Sequence, residues 1–115
     1  MEEELIERIR QICLAQEGAS EKLSHGEPAW FARNKRQFAM LDNHHHGAPN
    51  LSVWLAAEPG AQAVLVGDAP DQYFVPPYVG HRGWVGARLD VPTTDWEEIA
   101  ELISTACSVV GQKRR

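Results

Sequence analysis

Apolar residues recur at helical spacing near the start of the chain. Leu5, Ile9 and Ile12 lie on one side of a helix predicted over residues 2–16, and the glutamates that open it suit the positive end of the helix dipole. A helix with a single apolar stripe must bury that stripe against another element. We therefore expect this helix to pack against a sheet.

A second amphipathic helix is predicted near the end of the chain, over residues 94–110. Thr94 and Glu97 have the spacing of a capping box, with Thr94 as the N-cap, and apolar residues at helical spacing follow from Ile99 to Val110. This helix also has one apolar stripe. We expect both helices to pack against the same face of one sheet.

Five short segments between these helices predict strands, because they alternate or are rich in β-branched and aromatic residues. They cover residues 29–33, 37–41, 51–55, 73–75 and 84–89. Residues 34–36 predict a hairpin turn, residues 61–66 a short helix after Pro59, and the polar run 19–24 a loop. The order α-β-β-β-α-β-β-α predicts an α+β fold with a single antiparallel sheet and helices packed on one face.

Length and charge narrow the possible classes of protein. A chain of 115 residues fits one domain over residues 1–115, and a formal net charge of −5 repels polyanions on average. No stretch approaches the roughly 18 apolar residues of a membrane span, and the acidic start is unlike a secretory signal. We therefore expect a cytoplasmic protein with no membrane partner, in which Cys13 and Cys107 are buried and reduced.

Residues 73–86 are unusually rich in aromatic residues, prolines and glycines. This Pro/aromatic segment reads YFVPPYVGHRGWVG. Its two adjacent prolines remove two backbone donors and fix φ, while its three glycines permit backbone angles that other residues disfavour. The segment contains no activated nucleophile, metal cage or phosphate loop, so it indicates a fold and a family rather than a reaction.

Several motifs follow one another in a characteristic order. They are SHGEPAW at residues 24–30, the strand that contains Phe38, LSVW at 51–54, YFVPPYVG at 73–80 and GWV at 83–85. Together they resemble the MmcQ/YjbR family over nearly the whole chain.

The resemblance implies a small α+β domain similar to type III secretion chaperones and to double-wing and CyaY-like domains. Members are commonly labelled DNA-binding proteins, which implies nucleic acid as a partner. Some relatives are labelled phosphoribosylglycinamide formyltransferase, but this chain has no folate or nucleotide-phosphate motif.

Five basic residues are candidates for nucleic-acid binding. Arg33, Lys35 and Arg36 cluster at the predicted hairpin turn, and Arg82 and Arg88 lie near the later strands. A wing of this kind presents cations to phosphates while an aromatic side chain stacks on a base. Hairpin turns are also charged simply because water surrounds them, and residues 25–90 carry five basic against six acidic residues.

Four other residues are candidates for a ligand pocket. His25, Trp30, Tyr78 and His81 belong to the motifs above, and a pocket for a small ligand or a protein segment requires them to converge. Neither histidine is tied to a nucleophile by a recognised motif, so no catalytic residue is predicted.

The histidine triplet His44, His45 and His46 has the chemistry of a metal ligand set. In an extended loop His44 and His46 point the same way, but only Asp42 and Asn43 add oxygen ligands nearby. We therefore expect a polar loop, with no metal site and no cofactor.

The sequence predicts a non-enzymatic binding module of the MmcQ/YjbR type. Nucleic-acid binding through the five basic residues is the first hypothesis. The alternative is a small-ligand or protein-interaction domain that uses the open sheet face and the Pro/aromatic segment. An enzyme is the third hypothesis.

Overall fold

A computed structural model describes residues 2–44 and 48–112 of the chain. In chain order its elements are α1 (Glu2–Leu14), β1 (Ser20–Ser24), β2 (Glu27–Phe31), β3 (Gln37–Asn43), β4 (Leu51–Leu55), α2 (Ala61–Asp68), β5 (Tyr73–Phe74), a 3-10 helix (Gly80–Arg82), β6 (Val85–Arg88) and α3 (Trp96–Gly111). This is the predicted α+β fold.

The strands form one antiparallel sheet in the order β1-β2-β3-β4-β6-β5. The first four are neighbours in both sequence and space. After β4 the chain runs through α2, reaches the edge strand β5, and then returns to insert β6 between β5 and β4.

Strand β1 corrects the prediction of a loop over residues 19–24. It is an edge strand with a polar sequence, in which Leu23 is 75% exposed, so it shows no apolar alternation. A two-residue turn joins it to β2, and both His25 (φ 55) and Gly26 (φ 83) have positive φ. Such a turn matches the twist of a β-hairpin.

Helices α1 and α3 contact each other and cover one face of the sheet, as predicted. The guanidinium of Arg8 lies 4.1 Å from the ring centroid of Trp96, which joins the two helices. Both helices bury apolar side chains in the same core, namely Ile9 and Cys13 from α1 and Ile99, Ile103 and Ala106 from α3. The apolar core lies beneath these helices and also includes Phe38, Trp54 and Trp84.

The buried aromatic side chains on this face have partners for their polar atoms. Trp30 donates its indole N–H to the Glu21 carboxylate at 2.9 Å, and Arg10 of α1 also donates to Glu21 at 2.9 Å. The Tyr73 hydroxyl donates to Glu98 of α3 at 2.5 Å. Burial and then this hydrogen bond raise the pKa of Tyr73, so the hydroxyl stays protonated.

The N-cap of α3 is Asp95 rather than the predicted Thr94. The Asp95 carboxylate accepts from the backbone N–H of Glu98 at 3.1 Å. Thr94 instead donates its hydroxyl to the carbonyl of Arg88 at 3.0 Å and accepts from Val91. The helix cap is therefore one residue later than predicted, and the Asp95 carboxylate satisfies a backbone donor of the first turn.

Both cysteines are free, as expected. Cys13 is buried, and burial raises the pKa of both its thiol and that of Cys107. Within residues 2–44 and 48–112, no helix has the length and apolar character needed to cross a membrane.

Candidate functional site

A groove of about 1010 Å³ lies beside the sheet, and Val109 and Val110 at the end of α3 form part of its lining. Side chains alternate along a strand, so residues paired across neighbouring strands share a face. Met40 of β3 is paired with Trp54 of β4, and Trp54 with Gly86 of β6, which places this row on the open face. Met40 and Trp54 both line the groove.

The apolar part of the groove consists of two tryptophans and the side chains around them. The Trp54 indole N–H donates to the Ser52 hydroxyl at 3.2 Å, which fixes the orientation of its ring. Trp84 also lines the groove, and the Arg82 guanidinium lies 5.4 Å from the centroid of its ring. Trp54 is 2% and Trp84 5% exposed, so each presents only a small part of its surface to the groove, next to a cation.

The Pro/aromatic segment forms one wall of the groove. Tyr78 and Val79 line the groove, and Tyr78 is 72% exposed with the left-handed φ of 68. A non-glycine residue in this region carries backbone strain, which tends to persist at functional positions. Tyr78 thus presents a large aromatic side chain at the mouth of the groove.

Gln62 of α2 holds this wall in place. Its side-chain amide donates to the carbonyls of Gly80, the first residue of the 3-10 helix, at 2.9 Å and of Trp84, two residues after that helix, at 2.6 Å. Gly83 ends that helix with φ 87, a conformation that favours glycine. Gln62 therefore fixes the wall that carries Tyr78 relative to the sheet.

Gly86 is required by close packing. A Cβ at this position would lie 2.3 Å from the Phe74 ring, and Arg88 stacks on the same ring at 4.7 Å. Only a residue without a side chain leaves room for Phe74 on this face.

The groove carries charges of both signs. Arg36 and Arg82 line it together with Glu27 and Asp42, and Asp42 is only 3% exposed. The guanidinium of Arg36 has no ion-pair partner among the described residues. The groove is therefore not a basic surface, although it offers a guanidinium that no carboxylate in the described part of the chain pairs with.

Two of the five predicted basic residues, Arg36 and Arg82, line the groove, and the other three do not. Arg33 is exposed outside it and pairs with Glu17 at 3.4 Å, and Lys35 is exposed at the hairpin turn. Arg88 donates to the carbonyls of Pro70 and Asp71.

Two of the four predicted pocket residues line the groove, and the other two do not. His25 and Tyr78 line the groove, whereas His81 is exposed and is not among its lining residues. The prediction that Trp30 lines a pocket is wrong, because its side chain is 0% exposed on the helix-covered face. Trp54 and Trp84 are buried, as expected for large side chains in this sheet, and they also line the groove. Sequence reasoning missed Met40; alternation along the predicted strand was the signal that could have found it.

Of the histidine triplet, only His44 is among the described residues. Its Nε2 contacts the Glu2 carboxylate, and that hydrogen bond raises the pKa of His44. His45 and His46 lie outside the described residues, so the predicted orientation of His44 relative to His46 is untested.

Comparisons with known proteins agree on the fold. The YjbR family model matches residues 14–106. A crystal structure of the Deinococcus radiodurans protein DR2400, with a DUF419 domain, superposes with a TM-score of 0.77 at 19% identity, covering 94% of this chain and 79% of that chain. No curated protein matches the chain.

Proposed function

The chain belongs to the YjbR family, and we propose that it is a non-enzymatic binding module whose groove takes an organic acid with an aromatic or aliphatic body. The observation that carries this proposal is Arg36, which forms no ion pair within residues 2–44 and 48–112 and lines the same groove as Trp54 and Trp84. We also propose a cytoplasmic location, which the free thiols of Cys13 and Cys107 support.

The size and lining of the groove suit a small ligand. Its volume of about 1010 Å³ is at the upper end of ligand pockets, which span about 300–1,000 Å³. Trp54, Trp84 and Met40 offer apolar contact, and the exposed ring of Tyr78 covers a bound molecule from the side. An elongated molecule with an apolar body fits this shape.

The charged residues favour an acid group on that molecule. Arg36 offers planar donors without an ion-pair partner among the described residues, and Arg82 adds a second guanidinium. Glu27 and Asp42 disfavour a ligand with many negative charges. A single carboxylate or sulfonate on an apolar body meets both conditions.

A binding role without covalent chemistry agrees with the state of the thiols. Burial raises the pKa of Cys13 and of Cys107, which makes both poor nucleophiles. Neither cysteine is among the residues that line the groove. The groove residues support binding through shape, apolar contact and charge.

The proposal is tested with anilinonaphthalene sulfonate, an aromatic acid that becomes fluorescent in apolar sites. We expect saturable binding to the folded protein, and Arg36→Ala should raise Kd about fivefold, since an exposed ion pair contributes about 1 kcal/mol. Amide shifts of Met40, Trp54 and Tyr78 in NMR spectra should follow the titration.

Arg33→Ala is the matched control, because Arg33 is an arginine of the same hairpin that lies outside the groove. Urea unfolding of each variant ensures that the dye does not report unfolded protein. Equal effects of the two substitutions, or shifts confined to other parts of the domain, would contradict the proposal.

Single-stranded nucleic acid is the second candidate ligand, favoured by the exposed Tyr78 ring next to Arg36 and Arg82 in one groove. Fluorescence anisotropy with labelled single-stranded and duplex DNA at about 50 mM salt tests it, because nonspecific attraction is strong there. The Arg36→Ala/Arg82→Ala double variant should weaken binding for unrelated sequences alike. No anisotropy change with wild-type protein would rule out nonspecific nucleic-acid binding.

A further inference from the structure

We propose that Glu2, His44 and Asp90 form a binding site for a divalent transition-metal ion such as Zn²⁺. The Nε2 atom of His44 and a carboxylate oxygen of each acidic residue lie within 4.8 Å of one another. The three residues are far apart in sequence, at the start of α1, just after β3 and just after β6. We call them the Glu2/His44/Asp90 cluster.

The His44 ring is oriented as a metal-binding imidazole is. Its Nδ1 lies 3.2 Å from the carbonyl of Ala48, so Nδ1–H donates there, and Nε2, which contacts the Glu2 carboxylate, becomes a ligand when a metal ion displaces its proton. His44 directly follows the last residue of β3 and has a left-handed backbone conformation, with φ 66. Metal-ligating histidines commonly donate their second nitrogen to a backbone carbonyl in this way.

Asp90 is held by hydrogen bonds from outside the cluster. One carboxylate oxygen accepts from the Asn50 side chain at 2.9 Å, and the other accepts from the backbone N–H of Leu51 at 3.0 Å. Each oxygen keeps a further lone pair for a metal. His44 and Asp90 are therefore both positioned by groups outside the cluster, while the exposed Glu2 side chain contacts His44 within it.

The donor set suits a borderline divalent ion. One imidazole and two carboxylates supply a charge of −2, and zinc accepts nitrogen and oxygen ligands at about 2.0–2.2 Å. In a tetrahedral site the donors are about 3.4 Å apart, so the Glu2 carboxylate, which contacts His44 Nε2 directly, must move away from it to admit the ion, while no pair of donors starts more than 4.8 Å apart. Three protein ligands leave room for water.

The same geometry has a simpler interpretation as an ion pair between protonated His44 and Glu2. Calorimetric titration of metal-free protein with zinc chloride at neutral pH separates the two. The site predicts one ion per chain, and Glu2→Gln and His44→Ala should each weaken binding at least about tenfold, the effect of losing a ligand or its support. An ion pair alone predicts no such binding.

Two control variants make the titration specific. Glu3→Gln changes the neighbouring exposed glutamate of α1 and should leave zinc affinity unchanged. His45→Ala/His46→Ala removes the rest of the histidine triplet and should also retain the site. Loss of binding in this double variant with retention in Glu2→Gln would mean an adventitious ion only, and would overturn the proposal.

Thermal unfolding gives an independent measurement. An ion held by Glu2 and Asp90 links α1 to the end of β6, so zinc should raise the Tm of wild type and of Glu3→Gln but not of Glu2→Gln. A rise of equal size in all three variants would contradict the site.

Discussion

Two rows of side chains cross the same four strands one residue apart, and they have opposite character. Leu41, Val53, Ala87 and Tyr73 form the row beneath α1 and α3. Met40, Trp54, Gly86 and Phe74 form the row on the open face. The first is closed by helices, and the second carries the groove.

The difference shows how one sheet separates stability from recognition. Helix-face residues fill a core whose polar atoms have internal partners, as with Tyr73 and Glu98. On the other face Met40 is half-buried and Arg36 and Tyr78 are exposed beside the groove, although Trp54 is buried. Substitutions in the two rows should therefore change different measurements.

The largest expected effect is on the helix face. Trp30→Ala should lower the free energy of unfolding by about 3–5 kcal/mol, the usual cost of truncating a buried large aromatic residue. The substitution also removes the indole N–H that donates a hydrogen bond to the Glu21 carboxylate. Urea denaturation measures the change, and a loss below about 1 kcal/mol would show that this face is not the stabilising one.

An intermediate effect is expected on the open face. Gly86→Ala should destabilise by about 1–3 kcal/mol, because the added methyl group overlaps the Phe74 ring. Gly67→Ala in α2 is the matched control, since a Cβ there meets nothing within 4 Å, and it should stabilise by about 0.5–1 kcal/mol. If both changes shift the unfolding midpoint in the same direction, the packing of Phe74 on Gly86 is not tight.

The smallest expected effect on stability is at the mouth of the groove. Tyr78→Ala should change the free energy of unfolding by less than about 1 kcal/mol, as for most exposed side chains. It should nevertheless weaken binding of anilinonaphthalene sulfonate severalfold, because the ring covers the groove. A variant with lower stability but unchanged dye affinity would reverse the assigned role of this residue.

Much of the fold was predictable because the spacing of apolar residues along the chain reflects which side of a helix or strand is buried. The local pattern of apolar and polar residues predicts both long helices. It also predicts the strand at residues 51–55 and the hairpin around Asn34. Strand β1 does not, because an edge strand with exposed Leu23 carries no alternation. Its turn at His25 and Gly26 was the remaining signal, and only the positive φ of both residues makes it evident.

The groove was less predictable, because residue type does not state which face a side chain occupies. Trp30 and Trp54 have the same chemistry and both lie on strands, yet Trp30 faces the helices and Trp54 the groove. The pairing between β2 and β3 shifts between Trp30 and Phe31, a bulge that sequence patterns do not reveal. Assigning a face requires the register, which depends on the whole sheet.

The position of β6 in the sheet has a consequence for the order of folding. Strands β1 to β4 pair with their sequence neighbours, so their contacts close short loops. Pairing of β4 with β6 must instead close the connection over residues 56–84, and such non-local contacts cost more chain entropy and slow folding. We expect the four-stranded meander to form first, and docking of β6, which completes the groove, to limit the folding rate.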